Sequence, residues 1–184
     1  MGNHAKRLEF FVIRRERGPI RVGRDNTYLL CIDTDDRRSL LRLLGELRDS
    51  LLDDSELVDT SNDKFRRLFP TAYHDDPESD IEYQRLMKGE LMASRLDSLS
   101  AARSALERSP DDETLIMTPH ELDVFTRSIN NLRLVLGTML DVQESDDFDD
   151  ASDDPARLHF HLYSYLGWLL DWAVTAQTGG LQVD

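Results

Sequence analysis

Eight carboxylates and no base occupy residues 141–154, and a run of that kind is the first place to look for a bound metal ion. Calcium loops between helices need oxygens at alternate positions, a glycine at the sharp turn and a closing bidentate glutamate. Ser145-Asp146-Asp147-Phe148-Asp149-Asp150 has neither the glycine nor the glutamate, so the run reads as a solvated, self-repelling loop. His159 and His161 stand two apart, which points them to different faces of a helix. Zinc-binding pairs on helices usually lie three or four apart. His4, His74 and His120 are isolated near expected termini or caps. There is no Gly-x-Ser-x-Gly elbow and no glycine-rich phosphate loop ahead of a helix, so neither nucleophilic catalysis nor nucleotide chemistry has its usual residues. The expectation is a chain with no metal, no cofactor and no catalytic residue, hence not an enzyme. The competing reading is a small hydrolase that joins His159 or His161 to Asn131 and a carboxylate in a cleft.

Cys31 is the single cysteine. It falls in an expected buried strand, where cysteine acts as a small hydrophobe. The arginines of neighbouring strands could instead supply the cation that a reactive thiolate needs. With no second thiol, an internal disulfide is excluded, and oxidation would end as sulfenic acid, a mixed adduct or an intermolecular bridge.

Two apolar segments, 122–140 and 158–176, are expected to be helices. The first places Leu122, Phe125, Ile129, Leu132, Leu136 and Met139 at steps of three and four, the mark of one helix face. The second is apolar almost all round and needs neighbours on more than one side. Asn130, Asn131, Arg133 and Thr138 interrupt the first helix, and Arg133 lies beside core positions Leu132 and Leu136. An arginine held there requires a partner, for which Asp171 on the last helix is the candidate. Gly137 and Gly167 would let the two helices approach glycine to glycine. This polar group reads either as an interhelix network that fixes register or as a recognition spot for a partner protein. The row Tyr163, Tyr165, Trp168, Trp172 exceeds what one buried face needs, which predicts a homodimer or partner surface, with simple core packing as the alternative.

The elements that must position these groups follow from patterning. Residues 8–14, 20–23 and 28–32 read as three strands of a small antiparallel sheet, with turns at Arg17-Gly18-Pro19 and Arg24-Asp25-Asn26. Thr34 is expected to cap a helix that runs to about residue 52 with Leu40, Leu44, Leu47 and Leu51 on one face. Residues 53–63 read as a loop, followed by a short helix over 64–69 that stops at Pro70. Asp76-Pro77, Thr118-Pro119 and Asp154-Pro155 each put a side-chain acceptor at a cap and a proline at the first helical position. Glu121 completes a capping box with Thr118. The helix from Pro77 is long, reaching about Arg108, and Gly89 within it suggests a bend or a close crossing. Residues 115–117 could be a further strand or an extended connector, and Gly179-Gly180 ends the last helix. The fold class is α+β and mainly α: a sheet of about three strands over residues 1–33, packed on a bundle of four to five helices over 34–184, in one domain.

The net charge is −14, yet residues 1–24 hold seven Lys/Arg against Glu9 and Glu16. A chain of this overall sign repels a phosphate backbone, so direct DNA binding through Arg14, Arg15, Arg21 and Arg24 is not expected. Those arginines read as the solvent face of a strand pair. With no apolar run of eighteen residues and no apolar segment of signal-peptide type at the start, the chain is expected to work in the cytoplasm, away from membranes.

One further signal comes from particular residues. Asn130-Asn131-Leu132-Arg133-Leu134-Val135-Leu136-Gly137-Thr138, followed by Tyr165-Leu166-Gly167-Trp168-Leu169, resembles the AosR-like family of actinobacterial oxidative-stress regulators, formerly a domain of unknown function. Arg67-Leu68-Phe69-Pro70-Thr71-Ala72-Tyr73 and the helix from Asp76-Pro77 match the same family's central pattern. The resemblance implies a cytoplasmic, non-enzymatic regulator of transcription in oxidative stress, acting through protein partners such as a sigma factor or another transcription component. With Cys31 as its one thiol, this chain departs from any switch that needs an internal disulfide. An interaction protein with no redox sensing is therefore the alternative.

Overall fold

The computed structural model describes residues 18–56, 63–108, 114–140 and 156–179. The expected strand over residues 8–14 lies outside them, as do Arg14, Arg15, the whole carboxylate run 141–154 and Asp154-Pro155.

Strand β1 (Ile20–Val22) and strand β2 (Tyr28–Cys31) form a hairpin. Thr27 donates its amide to the Arg24 carbonyl at 3.0 Å across Asp25 and Asn26, whose φ angles are 51° and 57°. Positive φ at both central residues gives the twist that a tight hairpin needs, and Asp and Asn adopt it more readily than other side chains. Strand β3 (Thr114–Met117) pairs antiparallel with the other side of β2, Leu30 opposite Leu115 and Tyr28 opposite Met117. The third strand therefore comes from the middle of the chain, at the segment whose pattern fitted either a strand or a connector. Alternation sorts the faces: Ile20, Leu30, Leu115 and Met117 are buried, while Ile116 points outward.

Helix α1 (Thr34–Glu56) buries Leu40, Leu44, Leu47 and Leu51 as the spacing predicts. Its cap is Asp33 instead of Thr34: the Asp33 carboxylate accepts the Asp36 amide at 2.7 Å, and its carbonyl accepts the Arg37 amide. The shorter reach of Asp and its charge at the positive end of the helix favour it over Thr one residue later. The helix continues to Glu56, past the expected end at residue 52, since no Gly or Pro breaks it and Leu51 anchors the last turns. Instead of a short α-helix at 64–69, the chain makes a 3-10 turn at Asp63–Phe65, with the Leu68 amide on the Phe65 carbonyl at 2.8 Å. Pro70 leaves too little room for a second full turn.

Helix α2 (Pro77–Glu107) starts where Asp76 accepts the Ser79 amide at 3.1 Å. Helix α3 (Pro119–Met139) starts at the Thr118/Glu121 capping box. Helix α4 (Ala156–Gln177) ends before Gly179 at φ 74°. Helix α3 is the hub, touching α1, α2, α4, β3 and the 3-10 turn, while α4 also lies against β1. Gly89 has no heavy atom of the described residues within 4 Å of where a Cβ would sit, so none of the described elements crosses closely there, which was one of the two readings of this glycine. No helix among the described residues is long and apolar enough to cross a membrane.

Candidate functional site

The polar group singled out on α3 sits where α3 crosses α4. Tyr163, Gly167 and Asp171 share one line of α4 at four-residue spacing. The Arg133 side chain lies over the first two. Its Cζ is 4.4 Å from the centre of the Tyr163 ring, and its Nε is 3.4 Å from where a Gly167 Cβ would be. The Arg133 Nε is buried with no hydrogen-bond partner. The expected Arg133–Asp171 pair is replaced by this cation–π contact, and Asp171 stays exposed. The aromatic face does part of the work of a carboxylate without requiring that a second charge be stripped of water.

Gly137 corrects the expectation of a glycine-to-glycine contact. A Cβ on Gly137 would fall 2.8 Å from Arg67 Nη1 and 3.0 Å from Tyr163 Cε2. Each glycine thus seats a side chain of the neighbouring element, and the ring of Tyr163 is held between α3 and the Arg133 guanidinium. The same device recurs at Gly45 of α1, where the Arg103 guanidinium of α2 lies 3.7 Å from the Cβ position. Arg67 is placed by its neighbours: Phe65 and Leu68 are buried, Arg95 of α2 covers the Phe69 ring at 5.2 Å, and Arg95 donates to the Leu68 carbonyl. Burial lowers the Arg95 pKa from its ordinary value, yet a guanidinium remains charged at any physiological pH.

The aromatic row is occupied internally. Tyr165 Oη donates to Asp36 Oδ2 at 3.1 Å, tying α4 to the first turn of α1, and the Tyr165 and Trp168 rings lie 5.9 Å apart. The Trp172 indole covers Gly18, where a Cβ would come within 2.5 Å of it. Gly18 also has φ 66°, so both space and backbone conformation require glycine. Tyr163, Tyr165, Trp168 and Trp172 are all half-buried against the core. Asn131 is buried and Asn130 exposed; Ser128, also buried, donates to the Val124 carbonyl at 2.7 Å.

The other candidates are scattered. Cys31 is half-buried on the outer side of the sheet, where Thr114 Oγ1 donates to its sulfur at 3.8 Å. Arg21 is half-buried and Arg24 exposed on the hairpin. His159 and His161 are both exposed, whereas Asn131 is buried. Among the described residues no three His, Cys, Asp or Glu side chains stand close enough to hold a metal ion. Patterning missed Arg37, 2% exposed at the first turn of α1, and the packing role of Arg67. Arginine is so rarely interior that nothing in a single sequence marks such a position.

The family described as "Domain of unknown function (DUF2017)" matches residues 16–177, a span that takes in the sheet, the four described helices and the Arg133–Tyr163 crossing. The chain belongs to this DUF2017 family. A Mycobacterium leprae (strain TN) protein named "Putative oxidative stress regulator AosR" is 26% identical over 159 residues, covering 75% of this chain and 73% of its own. The resemblance to the AosR-like family read from residues 130–138 and 165–169 is borne out. No solved structure matches the chain. For this DUF2017 member the outcome is a polar crossing held by the Arg133–Tyr163 contact and by the close fit at Gly137 and Gly167.

Proposed function

We infer that this protein is a non-enzymatic regulator in the response to oxidative stress, working in the cytoplasm through contact with a protein of the transcription machinery such as a sigma factor. The observation that carries the reading is the relative named as an oxidative stress regulator, which shares 26% identity across three quarters of the chain. The side-chain chemistry agrees with it. Arg133 of the helix crossing is packed on the Tyr163 ring, and both histidines of α4 are exposed whereas Asn131 is buried. The net charge of −14 favours a protein partner over a phosphate backbone.

Deleting the gene in its native host and measuring transcripts before and after peroxide tests this. A changed peroxide response, restored by the wild-type gene, is the expected result. Cys31→Ser in the same assay separates two inputs: full restoration means the signal arrives through the partner, and failure to restore assigns it to the thiol. A deletion strain with an unaltered peroxide response would contradict the regulatory reading.

A further inference from the structure

Arg133 keeps a donor end that nothing described in the fold uses. Its Nε is enclosed with no hydrogen-bond partner, while Nη1 and Nη2 keep access to solvent. The guanidinium is held on two sides. Cζ lies 4.4 Å from the centre of the Tyr163 ring, and Nε and Nη2 lie 3.4 and 4.0 Å from the Gly167 Cβ position. No carboxylate among the described residues pairs with it. Acids are not scarce, since the chain has 36 Asp and Glu against 22 Lys and Arg. Exposed arginines do find them: Arg38, Arg42 and Arg85 hold Asp35, Glu46 and Glu82 at 2.8, 2.9 and 2.7 Å. A carboxylate would interact more strongly with Arg133, where part of the water is already displaced. Gly137 meets Tyr163 while Arg133 meets Gly167, so α3 and α4 run antiparallel. Asp171 then comes one turn beyond Gly167, level with Asn130. It is exposed, and so is Asn130, one turn before Arg133 on the same face of α3. The crossing thus presents a partly desolvated fork with a ring behind it, and the acid nearest to it in the fold does not close it.

We propose that the α3–α4 crossing receives one carboxylate, an Asp or Glu side chain of a partner protein, on the Nη1 and Nη2 atoms of Arg133. The two terminal N–H groups of a guanidinium match the two oxygens of a carboxylate. The Tyr163 ring holds the fork in place before the ligand arrives, which lowers the ordering cost of binding. Arg67 brings a second guanidinium to the Gly137 side of the same ring and makes the local potential positive in an otherwise acidic chain. Asp171 limits the charge that fits. A doubly charged phosphoryl group is repelled more strongly than one carboxylate, and a nucleic-acid backbone meets the whole net charge of −14. The same field favours an acid flanked by neutral or basic residues over a run of acids. A single fork on an open surface holds a free small acid only weakly, so the remaining affinity must come from the partner's own surface. This assignment rests on the reading of the protein as one that acts through a protein contact, and it names the group that the partner presents.

The probe is a capped six-residue peptide of glycine and alanine with one aspartate, titrated into the full chain and followed by backbone-amide and arginine side-chain chemical shifts. The expected result is a saturable set of shifts at Arg133, Asn130 and Gly167, at least tenfold weaker for the same peptide with asparagine. Arg133→Lys keeps the charge and removes the fork, so it should weaken the aspartate peptide at least fivefold, with urea unfolding as the check on the fold. Asp171→Asn, at an exposed position, should tighten the same peptide at least twofold, and it decides alone should the lysine variant not fold. Four outcomes overturn the proposal: an equal response to the asparagine peptide, shifts mapping outside residues 130–137 and 163–171, an affinity that neither substitution moves, or tighter binding of the phosphoserine form of the peptide. The last would make the crossing a phosphoryl site. Failure of the peptide beside a changed peroxide response in the deletion strain removes this site and leaves the regulatory reading. An unaltered peroxide response removes the regulatory reading and leaves the peptide result standing.

Discussion

Glycine does opposite work at the α3–α4 crossing and in the first half of α2. At the crossing, Gly137 and Gly167 are where the Tyr163 ring and the Arg133 guanidinium touch the neighbouring backbone. Side chains fill the space that the missing Cβ leaves, and the fold depends on it. At Gly89 the same residue faces nothing within 4 Å, and the chain simply accepts the loss of helix propensity. One region is packed by its own residues; the other, residues 77–91 of α2, buries none of its side chains fully. Polar residues that break an apolar pattern, such as Arg133, draw attention as recognition sites, and here they also pack the protein.

Substitutions can break that contrast at either end. The largest effect is expected for Tyr163→Ala, which removes the ring between α3 and Arg133 and leaves a gap beside Gly137; about 3 kcal/mol should be lost in urea unfolding. Gly137→Ala should cost about 2 kcal/mol, because its Cβ would press on the Tyr163 ring, which cannot move as freely as the Arg67 terminus. Gly89→Ala should change stability in the opposite direction, a gain of about 1 kcal/mol from helix propensity with nothing to clash against. Equal costs for Gly137→Ala and Gly89→Ala would erase the distinction. The smallest effect is expected for Ile81→Glu, within about 0.5 kcal/mol, since its side chain is mostly exposed.

Acid sharpens the contrast by another route. Burial pushes the Glu121 carboxyl up, but hydrogen bonds from Thr118 and the Arg108 guanidinium outweigh it and hold the pKa below its ordinary value. The Asp76 carboxyl is held low by the Ser79 hydroxyl and then by the Ser79 amide. Carboxyls with depressed folded pKa values contribute stability above their unfolded pKa of about 4 and lose it as pH falls through the folded value. Below about pH 4 the Glu121 contribution should weaken α3, the hub, and appear as a drop in global melting temperature that Glu121→Gln flattens. Loss at Asp76 should instead appear as local fraying of residues 77–91, seen in their amide shifts while the melting temperature holds.

Much of the fold was legible because repeated local signals agree. The cap-then-proline pairs at Asp76 and Thr118 fix two helix starts, and the leucine row from Leu40 to Leu51 fixes the buried face of α1. The hairpin turn at Arg24–Thr27 was equally plain. What patterning missed depends on distance in sequence. Nothing local says that β2 will pair with Thr114–Met117 more than eighty residues away, or that Arg133 will choose Tyr163 over Asp171 when both lie on one line of α4. The polar crossing was recognised as a unit, and Arg133, Gly137 and Gly167 do come together there with Arg67 and Tyr163. That the first half of α2 would bury no side chain fully was not legible either, since an apolar residue such as Ile81 looks the same whether or not anything covers it.

Native-state hydrogen exchange across α2 tests the division most directly. Amides of residues 78–91 should open at a free energy well below that of residues 98–106, which should exchange with α3 near the global limit. Gly89→Ala should raise protection in the first block alone. Exchange of both blocks together, at one shared free energy, would contradict the account.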